Sequence, residues 1–271
     1  MRNNGSSGLS SVANAMRLLK AFGPAEAELS IVTLSARLGL AKSTIHRLAA
    51  TLVQAEMLEQ NRANSKYRLG LAVFELGSLV RRRMDFYSDA KEELQALRAR
   101  SGETVNLAVL RGDSVIYLNS LESSSPIKVA APLGQRIPAL GCAEGKVLLA
   151  FAQTHRMENE AAESWGAQIP PVAGSVNTPH DLLAEFGEIR ESGYAIDNEE
   201  SVPGICAIAA PFFAGDNEVA GAIGIAGPAQ RLNRRKLVAL LPLLTEATDN
   251  LSRRLGANRP VVRTNATLVS P

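Results

Sequence analysis

From Lys42 to Arg47, five of six side chains carry a hydroxyl, an imidazole or a positive charge: Lys42, Ser43, Thr44, His46 and Arg47. Ile45, Leu48, Ala49 and Leu52 recur at helical spacing, so the stretch has one apolar stripe and these polar groups crowd its other face. A helix that needs only to be soluble favours acids in its first turn, where the macrodipole is positive. Hydroxyls and cations there suit an anion instead. B-DNA's major groove admits one such helix: its N-terminal side chains reach base edges while nearby hydroxyls, amines and backbone N–H groups hold phosphates. On this reading Ser43 and Thr44 contact phosphate or base, and His46 and Arg47 read the groove. A merely solvated face is the alternative.

Other residues could do chemistry, but their patterns fail. In "GCAEGKVLL", Leu140 stands where a phosphate-binding P-loop needs its first glycine and Val147 where it needs a hydroxyl. Cys142 with His155 or His180 has no signature to fix a nucleophile and base, and an apolar setting raises the thiol pKa; no catalysis is expected. The two cysteines, Cys142 and Cys206, form no C-x-x-C pair, and three scattered histidines make no metal site. Buried, reduced thiols are the ordinary reading, and a redox switch using both is the alternative. With no apolar run long enough to span a membrane and no secretion signal in "MRNNGSSGLS", a cytoplasmic protein without cofactors is expected.

The elements that must position the basic helix lie around it. The chain has 271 residues and a net charge of +2, but residues 1–70 hold nine Lys/Arg against four Glu, and the remainder twenty against twenty-three acids. A basic head on a mildly acidic body is expected. "SSVANAMRLLKAF" at 10–22 predicts a first helix stopped by Gly23-Pro24, and "LSIVTLSARLGL" at 29–40 a short second one closing on Gly39. The Lys42 stretch then follows a tight turn, which is helix-turn-helix spacing. "MLEQ" and "KYRLG" flank polar "NRANS" as a hairpin, a wing that brings Arg62, Lys66 and Arg68 near a DNA backbone.

In the body, 71–86 has helical period and carries Arg81-Arg82-Arg83, suiting a connecting helix whose arginines face solvent or phosphate. A helix over 88–100 precedes "TVNLAVL" and "SVIYLNSL", which flank "RGD" as a hairpin turn. "PIKVAA" is expected as a further strand. A helix from Pro179 to about Glu191, strands 205–213 and 218–226, and a helix 231–255 complete an α+β body with an antiparallel sheet. The last fifteen residues have little pattern and are expected to be disordered.

The head, with "LSARLGLAKSTIHRLAATLVQAEMLEQNRANSKYRLG", resembles the winged helix-turn-helix of the IclR family of bacterial transcription regulators. The body carries similar patterns in "APLGQRIPALGCAEGKVLLA", "GYAIDNEESVPGICAIAAPFF" and "GAIGIAGP". The resemblance covers roughly residues 10–256 and implies a leader at 1–9, a DNA-binding domain at 10–70, a linker helix at 71–86, a GAF-like effector-binding domain at 87–256 and a tail at 257–271. It further implies a homodimer or dimer of dimers that binds double-stranded operator DNA under the control of a small metabolite. The family's G-x-R-x-P element matches Gly134, Arg136 and Pro138, and the helix after it, from near Gly141, presents Ala143 and Glu144 to the effector. Asp197, Ile205 and Ala207, then Gly224 and Ala226, match the remaining effector positions; sheet core is the alternative for the strand residues. Where the family often has hydroxyls, Gly224 and Ala226 offer none and leave room. Where it has a small neutral residue, Glu144 would repel an anion unless Arg136 or a Lys neutralises it. A larger, partly apolar effector with a hydrogen-bond donor, of aromatic or amide-bearing chemistry, is therefore expected; a solvent-facing Glu144 would undo that expectation.

Overall fold

A computed structural model describes residues 10–23, 26–82, 84–152, 179–200, 202–215 and 217–257. The expected leader at 1–9, Arg83, His155 and nearly all of the expected tail lie outside them. The chain divides between Met84 and Asp85 into two compact units.

The smaller unit opens with α1 (Ser10–Leu19), which ends three residues short of the expected Phe22, followed by α2 (Ile31–Leu38) and α3 (Lys42–Gln54). Ser30 caps α2 by accepting the Thr33 N–H at 3.1 Å, and Gly39 ends it with a left-handed φ of 67°, which turns the chain into α3. Leu18, Leu34, Ile45 and Ala49 meet fully buried, so the apolar stripe of α3 is its anchor. The wing pairs β1 (Leu58–Gln60) with β2 (Tyr67–Leu69), and Leu29 adds a bridge to Tyr67 that ties the wing to the entry of α2. Behind the wing, Gly70 passes so close to Glu56 that a Cβ would lie 2.0 Å from its carbonyl oxygen. The helix α4 (Leu71–Arg82) closes the unit; it stops four residues before the expected Phe86.

The larger unit begins with α5 (Asp85–Ser101), three residues ahead of the expected start. Its sheet is antiparallel in the order β5-β4-β3-β8-β7-β6. The strands are β3 (Thr104–Arg111), β4 (Ser114–Leu121), β5 (Arg136–Pro138), β6 (Ala195–Asn198), β7 (Ile205–Phe213) and β8 (Val219–Pro228). Arg111-Gly112-Asp113 is indeed the tight β3–β4 turn, with Gly112 at φ 66°. The expected strand "PIKVAA" is absent. Pro126 and Pro132 lack N–H donors, and side chains take the segment's carbonyls: Thr104 Oγ1 donates to Val129 O at 2.7 Å and Arg231 to Ile127 O at 3.1 Å.

The two faces of the sheet differ in residue size. Val105, Leu107, Ile208, Phe212, Ile223 and Ile225 pack against α5 and α8 (Arg234–Arg254). The opposite face presents Ala108, Ala207, Ala209, Ala222 and Ala226 to α6 (Ala143–Ala152) and α7 (Pro179–Ser192). Alternation along each strand makes that division, and the small face is where side chains from elsewhere can enter.

Candidate functional site

In the smaller unit, Lys42, Ser43, Thr44, His46 and Arg47 are all exposed on α3 while Ile45 is fully buried, so the first two helical turns present the whole polar group to solvent. Its N-cap, Ala41, supplies no side-chain hydrogen bond and the first turn holds no acid. The leading N–H groups, which lack partners within a helix, therefore face outward beside two hydroxyls and an amine, a ready anion site. On the wing, Arg62 and Lys66 are exposed. The loop between them is tied down: Asn61 and Asn64 accept the N–H groups of Ala63 and Lys66 at 2.9 Å each and donate to the Glu28 carboxylate. Those donors hold Glu28 below its ordinary pKa. Arg68, also exposed on the wing, has acidic partners there. It stands directly across the wing from Glu59, pairs with it at 2.8 Å, and lies 3.8 Å from Glu28, so it braces the wing.

In the larger unit, register collects the expected effector residues on one sheet face. Asp197 pairs with Ala207, Ala207 with Ala226 and Ala226 with Thr104, one row across four strands. In the next row Ala209, Gly224, Asn106 and Ser120 are successive partners. Ile205 lies half-buried at the rim of this face. Above the rows sits the start of α6, preceded by a 3-10 turn (Ala139–Gly141), so the helix begins two residues later than expected. The helix folds closely back on that turn: a Cβ on Gly145 would be 2.0 Å from Ala139 O. Ala143 is fully buried beneath it.

Glu144 does not face solvent; it is 1% exposed. Asn106 donates to its Oε1 at 3.4 Å and Tyr117 to its Oε2 at 3.3 Å, both long for hydrogen bonds. Ser120 donates to Asn106 Oδ1 at 2.8 Å, which turns the Asn106 amide donor toward the carboxyl. The room expected beside Gly224 is taken: a Cβ there would lie 2.1 Å from Glu144 Oε1. Among the described residues no cation is paired with this acid. Arg136 is exposed and donates to Arg111 O at 3.3 Å, while Lys146 is buried against Glu185 at 2.9 Å, Glu200 and the Ile196 carbonyl. Burial therefore pushes the Glu144 pKa up, and nearby Asp197, itself buried, adds to the push. Glu200 N–H donates to Asp197 Oδ1 at 2.8 Å. Asn106, Tyr117 and Ser120 were missed in the sequence, because polar residues within a strand pattern give no sign of which face or partner they meet.

Nothing in the placement of the cysteines supports a switch that uses both. Cys142 packs on the α6 side of the sheet and Cys206 on the other, both buried. Burial, with Glu144 nearby, pushes the Cys142 thiol up to about 12, and burial raises Cys206 as well, which disfavours the reactive thiolate at both. Among the described residues no cluster of metal-binding side chains occurs and no helix is long and apolar enough to cross a membrane.

Comparison with known proteins matches this layout. The IclR helix-turn-helix domain family matches residues 11–62, and the family described as bacterial transcriptional regulator IclR C-terminal matches residues 79–253. The transcriptional regulator XynR of Escherichia coli K12 is 31% identical over 248 residues, which is 92% of this chain and 98% of XynR. The crystal structure of an IclR transcriptional regulator from Silicibacter sp. TM1040 superposes with a TM-score of 0.77 at 27% identity, over 94% of this chain and all of that one. An IclR homologue from Microbacterium hydrocarbonoxydans, solved in complex with 4-hydroxybenzoate, shares the fold with a TM-score of 0.78 at 24% identity, over 90% of this chain and 98% of that one.

Proposed function

This chain belongs to the IclR family of bacterial transcriptional regulators, with a helix-turn-helix DNA-binding domain and a C-terminal ligand-binding domain, and on that premise we propose how it reads its operator and what it senses. Helix α3 enters the major groove: Arg47 and His46 read base edges, while Lys42, Ser43, Thr44 and the uncapped helix start hold phosphates. Arg62 and Lys66 reach the flanking backbone from the wing, and Arg68 does so only in part because Glu59 engages it. The observation that carries this reading is the exposed, acid-free first turn of α3.

The sensing half is the small face of the body's sheet. Ala143, Glu144, Asp197, Ile205, Ala207, Gly224 and Ala226 border the effector, joined by Asn106, Ser120 and Tyr117. Two buried acids close together, Glu144 and Asp197, favour a ligand that brings hydrogen-bond donors, and the alanines favour one that is partly apolar. The Microbacterium regulator binds 4-hydroxybenzoate, whose ring is in keeping with an aromatic effector here but whose carboxylate is not what the Glu144 site favours. A homodimer or dimer of dimers in the cytoplasm fits an operator-binding protein whose α4 exposes Leu71, Phe74, Leu76, Leu79 and Val80. No part of this reading requires catalysis.

Genome-wide mapping of binding sites tests the proposal, because the genes beside the operator name the pathway and hence the candidate effectors. On that operator, Arg47→Ala should weaken binding by about 1–3 kcal/mol if Arg47 pairs with a guanine. Unchanged affinity in a band-shift titration removes Arg47 from base readout.

A further inference from the structure

We propose that Glu144 is a built-in carboxyl group that fills the carboxylate slot of the effector site, so that the site shuts out carboxylate effectors. The inference rests on the reading of the sheet's small face as the effector site, and it adds what occupies that site and what it selects.

The slot is built from three separate strands. Asn106 on β3 and Tyr117 on β4 each aim a donor at one oxygen of the Glu144 carboxyl, and Gly224 on β8 supplies the space in which Oε1 sits. The three atoms nearest a Cβ at position 224 all belong to Glu144, at 2.1, 2.6 and 2.9 Å, so only glycine admits this side chain. Ser120 fixes the Asn106 amide from behind. The two donor residues are buried: Asn106 is 3% and Tyr117 7% exposed. A buried donor without an acceptor is costly, so taking away the Glu144 carboxyl would leave two such donors facing an empty space. That space asks for a small molecule with two carboxylate oxygens. With Glu144 in place the slot is filled, and Asp197 stands as a second acid in the adjoining row, so a free carboxylate finds no room there and meets like charge nearby.

The atoms that Glu144→Ala removes, two carbons and two oxygens, are those of acetate, which is therefore the probe. Full-length wild type, Glu144→Ala and Glu144→Gln are compared in sodium acetate against sodium chloride of equal ionic strength, by thermal denaturation and calorimetric titration. The expected result is a saturable acetate-dependent rise in Tm in Glu144→Ala alone, with half-saturation on the order of millimolar for so small a ligand. Glu144→Gln keeps the slot filled and should not respond. Equal acetate responses in wild type and Glu144→Ala, or none in folded Glu144→Ala, would overturn the proposal. If Glu144→Ala does not fold unaided, acetate in the refolding buffer should restore it, and failure to do so overturns the proposal equally. Operator affinity of Glu144→Ala with and without acetate reads the effector assignment separately. Acetate binding that leaves operator affinity unmoved keeps the slot and removes the site from control of DNA binding.

Discussion

The contact between Gly224 and Glu144 makes Gly224→Ala a sharp test of how the sheet's small face is filled. The new Cβ would meet Glu144 Oε1 at 2.1 Å, Cδ at 2.6 Å and Cγ at 2.9 Å, so the whole side chain must turn away rather than its tip alone. At 1% exposure it has no path to water at its present position. Overpacking of this kind costs about 1–3 kcal/mol. Losing the Asn106 and Tyr117 hydrogen bonds adds about 1 kcal/mol each, less because both are long. Against this, replacing glycine within a strand recovers about 0.5–1 kcal/mol of backbone entropy. The net expectation is a loss of about 2–4 kcal/mol. In a Glu144→Ala background the three close atoms are gone, and the same substitution should cost nothing or stabilise slightly. A double-mutant cycle should then give a coupling of about 2–4 kcal/mol, large for one pair in contact. Urea unfolding followed by circular dichroism measures it, using the transition that responds to Glu144 substitutions, since the two units can unfold separately. Equal costs of Gly224→Ala in both backgrounds would show that the carboxyl does not rest against Gly224.

Three further outcomes follow from the same structure. Burial raises the Glu144 pKa above its ordinary value of 4.5, so the folded state holds its proton more tightly than the unfolded chain; stability should fall as pH rises past that value, and Glu144→Gln should flatten this part of a stability-against-pH curve. A steeper curve in Glu144→Gln contradicts the burial argument. Gly70→Ala places a Cβ 2.0 Å from the Glu56 carbonyl oxygen and 3.1 Å from Leu58 N, rigid backbone in both cases, so the smaller unit should lose about 3 kcal/mol or more and operator binding should fall with it. A Gly70→Ala protein with unchanged unfolding and band-shift behaviour would be the contrary finding. Replacing Cys142 and Cys206 together by alanine should leave the operator affinity measured with and without peroxide as it is in the wild type; a peroxide effect abolished by the replacement would restore the redox reading.

The sequence by itself carried the smaller unit almost complete. Apolar residues at helical spacing, Gly39 at a helix end and a polar run between two short strands are local signals, and each was read by local rules that hold whatever the rest of the chain does. The polar face of α3 was legible for the same reason: once Ile45 is inward, Lys42, Ser43, Thr44, His46 and Arg47 have nowhere else to point. The β3–β4 turn and the β7–β8 hairpin were equally local. Where the backbone's hydrogen bonds were taken by side chains from far along the chain, local reading failed, as in "PIKVAA", whose carbonyls answer to Thr104 and Arg231. Tertiary structure alone decided that Arg68 faces Glu59, that Lys146 belongs to Glu185 and Glu200, and that the two cysteines lie on opposite faces of the sheet. It also decided the chemistry of the effector face. Gly224 suggested an open space and Glu144 an exposed or ligand-facing acid, but residues 80 positions apart in the chain fill each other's requirement, and Asn106 and Tyr117 supply the donors from two other strands. Spacing along a chain fixes which side of its own strand or helix a residue occupies; which distant side chain it meets depends on sheet order and register, set by the packing of the whole domain.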